Sequence, residues 1–353
     1  MVQARVAVAG VGNNISALVQ GVRYYEGRSA GEDPELPGIR RPVIGALRPH
    51  DVEFVAAYDV SPAKIGLDVA DAILAGKNNY PRLDVTLPAT GVCVEPGIRE
   101  HDPDADVRRV TESLRRSGAE VLVYSLPTGL QWAATAYATA AAAAGVALVN
   151  CTPELVSRDQ RMLDAFVAAG VPVLGDDLAS HFGASIVHRS LLALLRERGI
   201  TLDQTYQINI GGNEDFRNLR EHGESKKASK LNAIAQDGLS LDRVDIIPSG
   251  GYVAGLRDQK VAYVSLDGIG WAGTPVNLEL RLRVQDSSNA AGVIIDLVRI
   301  AVAARRIGLK GFVPAAAALL KSPPDGHGAY SQSAVNTSFE ELDAAAESRS
   351  AAE

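Results

Sequence analysis

Cysteine is almost absent from this chain. Cys93 and Cys151 are the only two in 353 residues, too few for a disulfide framework, and no residues fall at metal-ligand spacing, so no metal site is expected. The first apolar strand starts almost at the N-terminus, leaving no room for a signal or transit peptide and predicting a cytoplasmic protein. No uninterrupted apolar run approaches membrane-spanning length. Excess positive charge is missing too. A net charge of -7 and a pI near 5.5 argue against nucleic acid or an anionic membrane as partner. What is present, 46% hydrophobic and 22% charged residues, is the make-up of a soluble globular protein, and the length suits a large core divided between two domains.

The N-terminal part has the pattern of a nucleotide-binding fold. RVAVAG (Arg5–Gly10) is an apolar run suited to a buried parallel strand. It leads through Gly10, Gly12, Asn13 and Asn14 into an apolar-periodic segment ending near Tyr25. Strand, glycine turn and helix are the context of a dinucleotide fingerprint: Gly10 permits the tight turn, and Gly12 lets backbone approach a pyrophosphate at the helix N-terminus. The third glycine of the fingerprint is missing, and a glycine turn without a ligand is the alternative. The next strand, Val52–Asp59, ends in an acid. Such an acid normally lies about 20 residues beyond the glycines and binds the ribose hydroxyls of NAD. Gly27–Asp51, rich in proline and glycine, reads as an inserted loop whose subtraction restores roughly that spacing. No arginine adjoins Asp59 to take a 2′-phosphate, so NAD is favoured over NADP.

Strands at Glu120–Pro127, Val146–Pro153 and Val171–Asp177 alternate with helices at Trp132–Gly145 and near Arg158–Gly170, which predicts an α/β, doubly wound parallel sheet. Ligands bind such sheets at the loops after strand C-termini. That singles out Thr128, Asn150 and the pair Asp176–Asp177, although Asp176 could simply cap the following helix. Beyond Ala184–Arg198 the rhythm changes. Strands at Thr205–Asp215, Val244–Ile247, Val261–Leu266 and Val276–Val284 suggest a second, mixed-sheet α+β domain. VNLELRLRV alternates as an antiparallel strand with one solvated face does. The domains are expected at 1–180, with the chain returning at about 300–324 after a helix over Ala290–Ile307, and at 181–299; the polar tail 325–353 is expected to be mobile. Within the second domain, ESKKASKL (Glu224–Leu231) places Lys226 and Lys230 four apart, on one face if helical. Like charges at that spacing call for an anion such as a sugar phosphate, against the alternative of a solvated basic turn.

Eight motifs occur in one order: GVGNN (10–14), GDDxxS (Gly175–Ser180), GGNxDF (Gly211–Phe216), SKKxSK (Ser225–Lys230), DxKxAY (Asp258–Tyr263), PxNLE (Pro275–Glu279), DSxNxAGxxIDxxR (Asp286–Arg299) and LKSPP (Leu320–Pro324). Together they resemble the myo-inositol-1-phosphate synthases of the short bacterial type, from about Arg5 to Pro324. The resemblance implies a homotetramer that binds NAD and cyclises glucose 6-phosphate without net redox change: carbon 5 is oxidised, carbon 6 enolises and attacks carbon 1, and the ketone is reduced again. It implies Lys226, Lys230, Lys260 and Lys321 as the catalytic lysines. Lys230 would serve mainly the phosphate, Lys226 and Lys260 the oxygen on carbon 5, and Lys321 proton transfer. Asp177, Asp215 and Asp286 match acidic positions of the site, Ser180 and Asn213 substrate-contacting ones, and Asp177 is expected to orient the nicotinamide or a neighbouring lysine.

Some positions depart from the family pattern. Ala179 replaces a lysine, and His181 and Phe182, read with the substrate site, stand where Gln and Val are usual. Gly251 and Gly273 replace acids, and Gly255 replaces tryptophan. Retained lysines amid changed surroundings suggest the same chemistry on a differently seated sugar phosphate, with neutral drift as the alternative. Fructose 6-phosphate, whose carbonyl is carbon 2, would close a five-membered ring. An ordinary NAD-dependent dehydrogenase and a non-catalytic NAD-binding regulator are the rival functions.

Overall fold

The computed structural model describes residues 3–26, 28, 36–219, 223–234, 241–324 and 332–350. Of the expected inserted loop, positions 27 and 29–35 lie outside the described residues. The first sheet is built from β1 (Ala4–Ala9), β2 (Val52–Asp59), β3 (Val94–Pro96), β4 (Val121–Tyr124), β5 (Ala147–Asn150) and β6 (Val173–Leu174). Its order is β3-β2-β1-β4-β5-β6, with every pairing parallel, the doubly wound topology of a Rossmann fold. The helices between these strands are α1 (Asn13–Glu26), α2 (Val69–Ala72), α3 (Pro103–Ser117), α4 (Gln131–Ala144) and α5 (Gln160–Ala169). Strand alternation divides the core. Val6 and Val8 of β1 face the layer that holds α1, while Ala7 and Ala9 face α3 and α4. Both faces of β1 are thereby covered, which is why its sequence is apolar throughout.

From there α6 (Ala184–Glu197) leads into a four-stranded sheet of β7 (Thr201–Gly211), β8 (Val244–Tyr252), β9 (Gln259–Ile269) and β10 (Pro275–Gln285), ordered β10-β9-β7-β8. The β7–β8 pair is parallel and the other two pairs antiparallel, so the sheet is mixed. Helices α7 (Glu214–Asn218) and α8 (Glu224–Ile234) fill the β7–β8 crossover. Edge strand β10 departs from its sequence pattern: Val276 and Leu278, which share one face, are both 37% exposed, so the apolar face is left partly uncovered within the protomer.

Helix α9 (Asp286–Arg306) then runs back under the first sheet, packed on α1, β4 and β5. By length and composition it is apolar enough to cross a membrane, but 89% of its most apolar 18-residue window is buried inside this fold. It meets the first core already at Ala290 and Ala291, earlier than the expected return at 300–324. Its buried Asp296–Arg299 pair holds the 40–47 loop: Arg299 donates to the carbonyls of Arg41, Pro42 and Leu47, and Asp296 accepts from Arg40 N. The expected mobile tail is corrected over 332–350. These residues form α10 (Gln332–Ser350), which lies on α9 and on the 3-10 turn Pro314–Leu319 and buries Phe339 and Leu342. Positions 325–331 and 351–353 lie outside the described residues.

Candidate active site

The glycine turn between β1 and α1 forms one wall of the central cavity. Gly10 has φ +87°, and a Cβ there would stand 2.5 Å from Ser125 O, so only glycine lets the turn close on β4. At Gly12 a Cβ would meet nothing within 4 Å, and Gly12 lines the cavity. The turn is held from behind. Asp59 accepts from Val11 N and Ser61 N, each at 2.8 Å, while Lys64 and Asn78 donate to Val11 O at 2.5 and 3.1 Å. Asp59 thus stands beside the turn with both carboxylate oxygens bonded to backbone.

Asn13, Asn14 and Thr128 line the same cavity. Thr128 donates to Asp215 Oδ1 at 3.0 Å, which links the β4 loop to α7. Asn150 does not reach the cavity. It is fully buried, donates to Glu154 O and Asp176 Oδ1, and accepts from Thr152. Asp176 accepts from the amides of Val156, Ser157 and Arg158. It caps the turn after β5, and burial raises its carboxyl to about 6 despite these bonds.

Asp177 has φ +61° and lines the cavity. Three donors converge on it: Lys226 Nζ at 3.1 Å, Lys321 Nζ at 2.9 Å and Ser229 Oγ at 2.8 Å. Local chain geometry explains the meeting. The LKSPP segment runs antiparallel to 176–179, with Lys321 N donating to Asp177 O and the backbones of Asp176 and Ser322 exchanging two bonds, and this delivers Lys321. Lys226 and Ser229 lie three apart on α8, hence on one face. Burial would raise the Asp177 carboxyl, but Lys226 and Lys321 outweigh it and hold it well below the usual carboxylate range.

The lysines themselves diverge. For Lys321, burial dominates and lowers the ammonium to about 8 even beside Asp177, with Lys226 and Lys260 adding repulsion. At Lys226 burial is overcome by Asp177, then Asp215 and Asp286, so this lysine is raised and stays charged. Lys230 is 3% exposed and has Asn209 Oδ1, at 3.2 Å, as its hydrogen-bond partner. Burial first, then Lys260, Lys321 and Lys226, lower it well below the ordinary value. It is not among the residues lining the cavity, whereas Lys226 on the same helix is. Across the cavity Lys260 Nζ pairs with Asp286 Oδ1 at 3.2 Å. Burial pushes the Asp286 carboxyl up, but Lys260 and an Asn213 hydrogen bond bring it below normal.

Ser180 and Asn213 line the cavity, whereas His181 and Phe182 do not. His181 lies against α9, with Nε2 3.4 Å from Asp296 Oδ2. Phe182 is 63% exposed and lines a separate cavity beside Tyr24 and Tyr25. The cause is Asn289, whose side-chain amide accepts from Phe182 N and donates to Phe182 O; this fixes the turn so that Ser180 faces inward. Of the departures, Ala179 is buried beside Ser180. Gly273 sits in the β9–β10 turn, nine residues along the strand from Lys260 to Ile269 and then beyond, roughly 30 Å away at strand rise. Sequence reasoning missed Ser229, Asn78, Asn79 and Asp258. Asn79 joins Asn13 to Gly212 O, and Ser229 and Asp258 were present as the fixed letters of SKKxSK and DxKxAY.

A family model described as myo-inositol-1-phosphate synthase matches residues 183–287. The inositol-3-phosphate synthase of Mycolicibacterium smegmatis is 43% identical over 91% of this chain and 93% of its own, and that of Corynebacterium glutamicum is 41% identical over 91% and 93%. A crystal structure of Ari2 is 56% identical, covers 98% of this chain and 99% of its own, and superimposes with a TM-score of 0.87. A myo-inositol-1-phosphate synthase-related protein from Thermotoga maritima shares the fold, with a TM-score of 0.76, 22% identity and 98% coverage of each chain. On motif order, fold and identity over nearly its whole length, the chain belongs to the myo-inositol-1-phosphate synthase family.

Proposed function

We propose that this chain is an NAD-dependent cyclase of a hexose 6-phosphate that works in the cytoplasm as a homotetramer and leaves no net redox change. One observation carries the reading: Lys226 and Lys321 on Asp177, and Lys260 on Asp286, share a cavity with the glycine turn. The residues fit a dinucleotide. Gly12 leaves open space where a Cβ would stand, at the N-terminus of a 14-residue helix, where backbone amides and dipole favour a pyrophosphate. Gly12, Asn13, Asn14 and Thr128 would hold it. When bound, NAD would take a hydride from carbon 5 of the sugar and return it after ring closure.

The chain's own groups supply the rest. Lys321, near 8, exchanges protons at neutral to alkaline pH, as a base that removes a proton from carbon 6 must. Lys226, kept charged by Asp177, and Lys260 offer fixed positive charge to an oxygen that becomes enolate and then aldolate, and need no reorganisation as that charge forms. Lys230, a buried amine without a carboxylate partner, gains its counter-charge from the substrate phosphate.

Glucose 6-phosphate is the first substrate reading, carried by the synthases named above. Fructose 6-phosphate is the second. It is favoured by Ala179, a buried small residue next to cavity-lining Ser180, where the family pattern has a lysine. Incubation with NAD and each sugar phosphate, followed by NMR of the product's ring carbons, decides. A six-membered cyclitol from glucose 6-phosphate with fructose 6-phosphate inert supports the first reading. A five-membered ring from fructose 6-phosphate alone supports the second, and turnover of neither overturns both.

A further inference from the structure

Asp258 is fully buried, and its carboxylate gathers donors from both halves of the molecule. Asn13 Nδ2 reaches it at 2.9 Å from the glycine turn, and Asn213 Nδ2 at 3.4 Å from the N-cap of α7. Gln285 Nε2 donates at 2.8 Å from the end of β10. Ser287 donates twice from the first turn of α9, through N at 3.0 Å and Oγ at 2.6 Å. The Asp258 carbonyl also accepts from Asp286 N at 2.9 Å, and Lys260 follows two residues later on β9. The surrounding amide and backbone groups all present N–H to the two oxygens, so the carboxylate is the form that satisfies the site, even though burial, then Asp286, pushes its carboxyl upward. A neutral amide at this position would turn an NH2 group toward donors.

We infer that Asp258 is a positioning residue that sets the register between the dinucleotide-binding turn and the Lys260–Asp286 pair. It acts through Asn13 on one side and through Ser287 and Asn213 on the other. Register matters more in a redox-neutral cycle than in a simple dehydrogenase, because the carbon that is oxidised must be reduced again before the keto intermediate escapes. The inference rests on the NAD-binding reading above, and its test separates the two.

NAD binding is measured by calorimetry on the wild-type protein, Asp258→Asn, Asn13→Ala and the double variant, together with absorbance at 340 nm during turnover. The wild type should bind NAD. Asp258→Asn should bind it about tenfold more weakly, the scale of one lost hydrogen bond to a charged group. The double variant should be no weaker than the weaker single one, since both changes break one contact. Asp258→Asn should also accumulate reduced cofactor with escaped ketone, which mere loss of stability would not produce. If Asp258→Asn fails to fold, Gln285→Met, which removes one donor outside the active-site cavity, should still weaken NAD binding by roughly threefold. Unchanged NAD affinity in the folded variants, or additive losses in the double variant, would overturn the inference. A wild-type protein that does not bind NAD would sink the proposed function and this inference with it.

Discussion

Replacing Asp177 by asparagine removes one negative charge from the middle of the lysine cluster and turns an amide NH2 toward groups that donated to the carboxylate. Asparagine keeps the shape and tolerates the left-handed backbone found there, φ +61°, better than most residues. The lost charge lies 2.9 Å from Lys321 Nζ and 3.1 Å from Lys226 Nζ. An opposite charge this close moves a pKa by roughly 1–3 units, so Lys321, now near 8, should fall by at least about one unit. Breaking a buried pair from one side costs about 3–5 kcal/mol of stability. The sign for activity follows from the base role. With Lys321 as the proposed base its neutral form is the active one, so kcat should rise with pH through a pKa near 8 in the wild type. In Asp177→Asn that limb should move to lower pH, while the plateau drops ~10²-fold or more as both lysines lose their anchor. The assay is kcat against pH across the neutral and alkaline range, with thermal unfolding alongside. A limb that stays in place would refute Lys321 as the base, and a limb that moves upward would refute the electrostatic reasoning.

Other substitutions probe the remaining parts. Lys230→Met should raise the thermal unfolding temperature, because it removes a buried amine with no carboxylate partner. It should also raise KM for the sugar phosphate by roughly tenfold or more, and an unchanged KM would remove Lys230 from phosphate binding. Gly12→Val should abolish NAD binding without lowering stability, since its side chain enters open cavity. Gly10→Ala should lower stability itself, because the new Cβ would press on Ser125 O at 2.5 Å. Equal stability losses in the two glycine variants would contradict the assigned geometry of the turn.

Much of the fold is legible in the sequence because its signals are local. RVAVAG reads as a buried strand since both its faces are covered, and the glycine turn reads as such since φ +87° at Gly10 demands it. The three-residue β3 and two-residue β6 are too short to carry a period, and α3 lies in a strongly charged stretch whose stripe is thin. The alternation of β10 suggests a covered face that the protomer does not provide. In the candidate site, the lysines are found by spacing and motif, but their environments are not. Which of the two acids after β6 turns into the cavity depends on backbone at Asp177 and on amides of a loop 18 to 20 residues earlier. His181 and Phe182 follow Ser180 directly in sequence, yet Asn289, 107 residues away, holds Phe182 elsewhere, and Asp296 meets His181. Contacts of that range leave no mark in a local pattern.

In the proposed cycle, oxidation and reduction occur at one carbon within one turnover. Its most direct test is a hexose 6-phosphate deuterated at carbon 5, incubated with NAD and catalytic amounts of enzyme. Intramolecular return predicts a cyclitol phosphate that retains the deuterium on its ring, with no net rise in absorbance at 340 nm. Loss of the label from the product, with reduced cofactor accumulating in proportion to sugar consumed, would contradict it and identify a plain dehydrogenase.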